Sequence, residues 1–453
     1  MLNSFMLEAL CFNTSSSVNC TSESFSVDRE LIRQINKDRI LTFNRASKNT
    51  NKDKNNLLGQ INSIVSSKMN QISRYNTNNY SKPYRDIKTI PEKILDAPNL
   101  LDDYYLNILD WGSQDILAIC LGQNLYLWNS QTNQTTFLYK DIANICSVNW
   151  MNNGVCLAVG LNDGTIALYD VEKKVRMRTM EGHQSRVPSL SWNHYILSSG
   201  EKKGIIFNHD VREKHHIFSV LKGHTKEVCQ LKWSLDGDFL ASGGNDNTVN
   251  IWEVNTSRAF RPLTQLKLDF DDIDRVPTYD VYSPKFSLNQ HSSAVKALAW
   301  CPYQRNILIS GGGTKDKSIK IWNTDNGSLI NSFNTGSQVC CLMLNKYEKE
   351  IISSHGYSKN QIAIWSYPKM KKITELTGHM NRVLYMGMSP DGSTIVSGAA
   401  DETLRFWMIN DIDKINETQG DNGRSRFIPE FNQEKNQNNI LTCKFLLVFL
   451  INL

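Results

Sequence analysis

Residues 223–252 read GHTKEVCQLKWSLDGDFLASGGNDNTVNIW, and this stretch decides the fold. Within it His224, Ser242, Asp246 and Trp252 stand 18, 4 and 6 residues apart. The same four residue types return at the same intervals as His379, Ser397, Asp401 and Trp407. Working outward, alternating runs end in an aromatic or polar residue at Leu125-Tyr126-Leu127-Trp128, Ile166-Ala167-Leu168-Tyr169, Ile206-Phe207-Asn208-His209 and Val249-Asn250-Ile251-Trp252. Three more follow at Ile319-Lys320-Ile321-Trp322, Ile362-Ala363-Ile364-Trp365 and Leu404-Arg405-Phe406-Trp407. Successive spacings are 41, 40, 43, 70, 43 and 42 residues. All but one match the period of roughly 40–45 residues that marks a four-stranded propeller blade.

The long interval is too short for two blades, and subtracting one period of about 43 leaves an insertion near 27 residues. It falls at about residues 256–283 and carries the acidic run Asp269-Phe270-Asp271-Asp272-Ile273-Asp274, read as an exposed, solvated loop. The expected fold is therefore all-β: a seven-bladed WD-repeat β-propeller. An Asp also lies six residues before Tyr169 and Trp322, at Asp163 and Asp316, whereas Lys203 takes that place in the third blade. Gly182-His183, Gly223-His224 and Gly378-His379 mark blade entries. In a blade such His, Ser, Asp and Trp side chains come within reach of one another. Their expected role is a hydrogen-bonded lock between strands, rather than metal or acid–base chemistry.

Composition bounds the rest. The 453 residues (51.7 kDa) carry 50 basic and 45 acidic side chains, a net charge of +5, too weak a field for a strongly basic nucleic-acid binder. Hydrophobic residues make up 40%, below the roughly 45–50% of typical globular chains, so part of the chain packs no core. That part is expected in residues 1–83, crowded with Asn, Ser and Lys as in Asn49-Thr50-Asn51-Lys52-Asp53-Lys54-Asn55-Asn56, and in residues 411–453. The propeller is placed at residues 84–410. None of the ten cysteines forms a C-x-x-C pair, which suits reduced thiols in the nucleus and cytoplasm. Residues 1–12 lack a basic start and include Glu8, unlike a signal peptide. The apolar residues 445–453 fall short of the about 20 needed to span a bilayer, so no membrane partner is expected. No P-loop, nucleophile elbow or zinc-ligand cluster is present, and Gly311-Gly312-Gly313-Thr314 reads as a strand-connecting turn. The reading is a binding protein, with no cofactor, no metal and no catalytic residue.

A family becomes visible in residues 94–107, Ile94-Leu95-Asp96-Ala97-Pro98-Asn99-Leu100-Leu101-Asp102-Asp103-Tyr104-Tyr105-Leu106-Asn107. This stretch resembles the propeller entry of the fizzy family, the WD-repeat activators of the anaphase-promoting ubiquitin ligase. Gly243-Gly244-Asn245-Asp246-Asn247, Ala294-Val295-Lys296-Ala297, His355-Gly356-Tyr357-Ser358 and Ala400-Asp401-Glu402-Thr403-Leu404-Arg405 resemble it in turn, and the likeness runs in order over about residues 84–408. Tyr195-Ile196-Leu197-Ser198-Ser199-Gly200 looks more like the mitotic branch than the fizzy-related one.

The resemblance implies two peptide sites. Residues around Ile94 are expected to supply the outer strand missing after Trp407, closing the ring and bringing Asp96 beside Glu402. By residue type alone Asp96 ends a turn before Pro98, and Glu402 faces solvent. Family likeness assigns the two carboxylates to the Arg of a destruction box (Arg-x-x-Leu), with a pocket for its Leu made by Leu95, Pro98, Ile119 and Trp128. The second implied site takes a Lys-Glu-Asn (KEN) box at Asn245, Asn247, Thr314 and Arg382, with Arg382 pairing the Glu. Their bland reading is as ordinary turn residues. Arg39-Ile40-Leu41-Thr42-Phe43 resembles the motif that binds the spindle-checkpoint safety-belt protein.

Two family features are missed. Asp28-Arg29-Glu30-Leu31-Ile32 lacks the aromatic and Pro of the amino-terminal ligase-docking box, and Arg426-Phe427-Ile428-Pro429 has similar letters at the other end. The final Ile451-Asn452-Leu453 differs from the family's Ile-Arg. Ends foreign to the working protein, a different docking device, and degron binding without ligase activation are the three explanations. The expected function is recruitment of degron-bearing mitotic proteins, such as cyclins and securin-like proteins, to subunits of the anaphase-promoting complex. Spindle-checkpoint proteins are further expected partners. The alternatives are a general WD-repeat scaffold and a degron-binding decoy.

Overall fold

A computed structural model of the chain describes residues 87–255 and 280–411. Strands in these residues form seven sheets, six of four strands and one of five. Blades 1, 2 and 3 occupy residues 109–140, 145–180 and 189–222, and blades 4, 5 and 6 occupy 228–288, 295–334 and 339–376. Blade 7 takes three strands from residues 383–408 and its fourth from Lys93–Asp96. Position in a blade explains each strand's pattern. The second strand of blade 2, Cys156–Leu161, is packed on both faces and buried at every residue, whereas the outer strand Thr135–Lys140 alternates exposed with half-buried.

Closure comes from the expected segment. Lys93, Ile94, Leu95 and Asp96 pair antiparallel with Phe406, Arg405, Leu404 and Thr403. Ala97 N–H donates to Glu402 O at 2.7 Å, and Glu92 N–H to Phe406 O at 2.8 Å. Without this strand the edge of Thr403–Met408 would present a row of unpaired backbone groups. Aromatic rings seal the seam between blades 7 and 1: the Phe406 ring lies 4.7 Å from that of Trp128 and 5.8 Å from that of Trp111.

Beyond Ala97 the chain crosses the mouth of the ring as a strut. The Tyr104 hydroxyl donates to Val339 O at 3.1 Å, and the Tyr385 hydroxyl to Leu101 O at 2.8 Å. The Asn107 side-chain amide donates to Pro188 O at 2.7 Å and Cys229 O at 2.8 Å, while its backbone pairs with Cys146 and Val148 of blade 2. With the Tyr104 hydroxyl also 3.4 Å from Ala294 O at blade 5, one short segment touches the inner rims of blades 2 to 7 before it enters blade 1.

The insertion differs from its expected form at its exit. Its last residues are not loop: Asp280–Tyr282 forms a strand parallel to blade 3, with Asp280, Val281 and Tyr282 opposite Ser219, Val220 and Leu221. Tyr282 packs against the apolar core of blades 3 and 4, which anchors it. Three residues are too short to show a period in the sequence. The acidic run lies outside the described residues.

The recurrent polar side chains form relays. In blade 4, His224 Nε2 lies 2.7 Å from Ser242 Oγ, Trp252 Nε1–H donates to the same oxygen at 2.8 Å, and His224 Nδ1 is 3.0 Å from Asp246. Blade 7 repeats this through His379, Ser397, Trp407 and Asp401. Blade 5 has the same set in His291, Ser310, Trp322 and Asp316, unseen in the sequence because His–Ser and Ser–Trp are 19 and 12 residues apart instead of 18 and 10. In blade 3 Lys203 is no gap in the pattern: Glu201, two residues earlier, sets Oε2 3.3 Å from His183 Nδ1 and accepts the Gln184 N–H at 3.0 Å. There His209 replaces the Trp, and His183, Ser199, His209 and His216 follow one another at 2.6, 2.7 and 2.9 Å.

These relays make the ring acid-sensitive. Burial pushes His183, His209, His216, His291, His355 and His379 below the ordinary 6.5, His216 and His355 to about 4. Burial opposes ionisation of Asp246 and Asp316, but hydrogen bonds, first from the relay histidine, outweigh it and hold both below 3.8. Between pH 6.5 and 4 the unfolded histidines bind protons that the folded ones refuse, so stability falls with pH across that window. The two carboxyls add a second loss as pH drops below 3.8. Denaturant midpoints measured from pH 7 to 5 should decline, and a flat profile there contradicts the lowered pKa of these six histidines. Separately, Asn107→Ala strips two carbonyls of their donor and should cost about 1–3 kcal/mol in the same assay. An unchanged midpoint would show that the strut does not brace the ring.

Candidate functional site

The closing strand builds the first candidate site. Pairing sets Asp96 opposite Thr403, the residue after Glu402, and the Ala97–Glu402 backbone bond draws the two chain turns together. Glu402 holds a left-handed φ of 59° at the tip of its turn, and both carboxylate residues are exposed. Neither has an ion-pair partner among the described residues. Leu95 is half-buried against the core that contains Ile119, Trp128 and Leu404, and Ile119 and Trp128 are each 5% exposed. Pro98 is exposed just beyond buried Ala97. Lys93 closes the other end, with its ammonium 5.2 Å over the Trp128 ring and hydrogen-bonded to Asn133. The seam thus offers two acids without an ion-pair partner among the described residues near half-buried Leu95 and exposed Pro98, while Ile119 and Trp128 are buried. A guanidinium followed by an aliphatic side chain matches that arrangement.

The second candidate site lies on the rim crossed by the strut. Asn245 and Asn247 occupy the turn between the second and third strands of blade 4, where Asn247 takes φ 67°, a conformation Asn tolerates. Thr314 is exposed in the matching turn of blade 5, after Gly313, whose N–H donates to Ala294 O. Arg382 stands at the entry to blade 7. The strut joins two of these residues: the Tyr105 hydroxyl donates to Asn245 Oδ1 at 3.2 Å, and Arg382 donates to Asp102 Oδ1 at 2.6 Å through Nη2 and 3.1 Å through Nε. Thr314 is linked to the strut indirectly: its neighbour Gly313 donates to Ala294 O, which lies 3.4 Å from the Tyr104 hydroxyl.

Sequence reasoning missed the charges between these residues. Arg186 donates to Glu227 at 2.6 and 2.9 Å and to Asp103 at 2.9 Å. Burial opposes the Arg186 charge, but the Glu227 and Asp103 carboxylates outweigh it and raise its pKa. For Arg382 burial likewise opposes the charge, and Asp102 more than compensates. The adjacent acids at positions 102 and 103 were the available signal, but only the topology shows that they reach blades 7 and 3. Among the described residues no group of three or more His, Cys, Asp or Glu could hold a metal ion. Arg39, Ile40, Leu41 and Phe43, the Asp28–Ile32 and Arg426–Pro429 segments and the carboxyl-terminal residues lie outside the described residues.

Comparison with known proteins reaches the same stretch of chain. The CDC20/Fizzy WD40 domain family matches residues 95–407. A Dictyostelium discoideum protein named "Anaphase-promoting complex subunit cdc20" is 46% identical over 363 residues, 80% of this chain and 68% of that protein. An Arabidopsis thaliana protein named "Cell division cycle 20.1, cofactor of APC complex" is 47% identical over 332 residues, 72% of this chain and 68% of that one. A second Dictyostelium discoideum relative, "Anaphase-promoting complex subunit cdh1", is 45% identical over 72% of this chain and 45% of its own length. Among solved structures, a chain of "Crystal Structure of Mitotic Checkpoint Complex" superposes with a TM-score of 0.64 at 43% identity, covering 71% of this chain and 95% of that one.

Proposed function

This chain belongs to the CDC20/Fizzy WD40 family, and we propose that it is a substrate-recruiting activator subunit of the anaphase-promoting complex ubiquitin ligase, acting during cell division. Its partners are subunits of that complex, degron-bearing mitotic substrates such as cyclins and securin-like proteins, and spindle-checkpoint proteins. The names of the relatives and of the checkpoint-complex structure support this reading. Residues 195–200 favour the mitotic branch. The protein performs no chemistry itself: it contributes proximity, holding a substrate where the ligase's ubiquitin-loaded enzyme reaches it. The seven cysteines among the described residues are free thiols, which supports a place in the nucleus and cytoplasm.

The observation that carries degron recognition is the pair of unpartnered carboxylates, Asp96 and Glu402, at the seam of blades 7 and 1. A destruction-box Arg would bridge them, and its Leu would settle against Leu95, Pro98, Ile119 and Trp128. On the rim, Asn245, Asn247 and Thr314 would bind the polar KEN peptide while Arg382 takes its Glu. Charge-assisted hydrogen bonds contribute about 1.5–3 kcal/mol each. Asp96→Lys with Glu402→Lys should therefore weaken a labelled destruction-box peptide at least about tenfold while leaving KEN-peptide binding in place. Equal destruction-box binding by wild type and variant would falsify the seam site. Affinity capture from dividing cells should bring down ligase subunits. Peptide binding without those subunits would identify a decoy, and loss of neither peptide in any variant would leave a general scaffold.

A further inference from the structure

Arg382 is occupied before any peptide arrives. Its Nε and Nη2 both donate to one oxygen of Asp102, and Nη2 also lies 3.4 Å from the Asp102 carbonyl. The guanidinium sits 5.7 Å from the centre of the Tyr357 ring, which covers another side. Exposure is unequal across the pair: the Asp102 side chain is 47% exposed and that of Arg382 only 19%. An incoming carboxylate therefore meets Asp102 on the solvent side of the base it seeks.

The surrounding charges sharpen this competition. Asp102, Asp103 and Glu227 face Arg186 and Arg382, and the buried Lys296 ammonium, 4.8 Å over the Tyr385 ring, adds a third base to these three acids. Arg186 is held by both Glu227 and Asp103, which leaves Asp102 paired to Arg382 alone. Asp102, the most exposed of the three acids, suits the Lys of a Lys-Glu-Asn peptide and opposes its Glu.

We propose that Asp102 is a specificity-determining residue of this rim site: it competes with the peptide's Glu for Arg382, so binding exchanges one carboxylate for another. The proposal rests on the reading that Arg382 receives that Glu. Exchange makes the site less selective for Glu over a neutral Gln than a bare Arg382 would be, because the gain from the new pair is offset by loss of the old one. An ion pair this exposed is worth a factor of about two to five in an equilibrium, which bounds the effect. Asp102 also lends charge to the peptide's Lys, so affinity for one peptide mixes two influences of opposite sign. The ratio of affinities for two peptides that share the Lys isolates the competition.

The test uses the full chain and fluorescent peptides containing Lys-Glu-Asn or Lys-Gln-Asn, with melting curves to show that each variant is folded. Asp102→Asn should raise the Glu-over-Gln affinity ratio about two- to fivefold. Asp102→Ala, which removes the side-chain acceptor altogether, should raise it at least as far. Arg382→Ala should bring the ratio close to one whether or not Asp102 is present. A ratio that stays level or shrinks in both Asp102 variants, while Arg382→Ala still collapses it, overturns the role of Asp102 and leaves the rim site standing. A ratio indifferent to Arg382→Ala overturns the reading beneath it, and the proposal with it.

Discussion

Four residue pairs between Lys93–Asp96 and the last strand of the ring hold the molecule's organisation together. A propeller of linear chain has to join a last blade to a first one, and here the join is a borrowed strand. Its register decides more than closure. Setting Asp96 opposite Thr403 puts it beside the Glu402 turn, and turning Leu95 toward the Trp128–Phe406 seam puts an aliphatic side chain next to that acid. A one-residue slip would reverse which side chains face the seam. The same register fixes where the chain leaves blade 7, and hence where the strut begins. Asp102, Tyr104, Tyr105 and Asn107 reach their blades because Asp96 is pinned.

The relays provide the complementary constraint. A buried Ser hydroxyl can accept one Trp N–H and meet one His nitrogen, which satisfies all three groups without water. This explains why departures from the pattern are paired. Where blade 3 has no Asp, Glu201 reaches His183 from the neighbouring strand end, and where it has no Trp, His209 fills the place and finds His216. A lone replacement would leave a buried donor or acceptor unmatched. The polar set therefore drifts in sequence while its members stay in contact, with His183 Nδ1 held to Glu201 at an ion-pair distance of 3.3 Å.

That drift also explains what was legible. Trp252 and Trp407 sit in relays of identical spacing, so the period and the seven blades could be read from residues alone, whereas the closing strand near Ile94 was placed through family resemblance. His291 could not, because one extra residue before Ser310 and two between Ser310 and Asp316 shift it out of register, and only the Asp316–Trp322 spacing keeps the pattern. Asp280–Tyr282 was hidden because a three-residue parallel edge strand carries no alternation to detect. Asp96 and Glu402 were legible only through family resemblance, as exposed acids have no period. Asp102, Arg186 and Glu227 escaped because their partners lie 280 or 41 positions away and depend on ring closure.

The two candidate sites share one piece of backbone. Asp96 ends the closing strand, and six residues later Asp102 meets Arg382. Such proximity invites an allosteric reading, yet the intervening chain argues against one. Ala97, Leu100 and Tyr104 are buried, and hydrogen bonds from Tyr104, Tyr385 and Asn107 tie the strut to the rims of several blades. Coupling needs an element with two arrangements of similar energy. The structure shows one arrangement of this segment, tied to six blades. On the proposed reading, a substrate carrying both degrons would gain by linkage: once one motif is seated, the other searches a small volume instead of bulk solution. Rigidity preserves that gain, since two sites at constant separation reward only peptides whose intervening chain can span it.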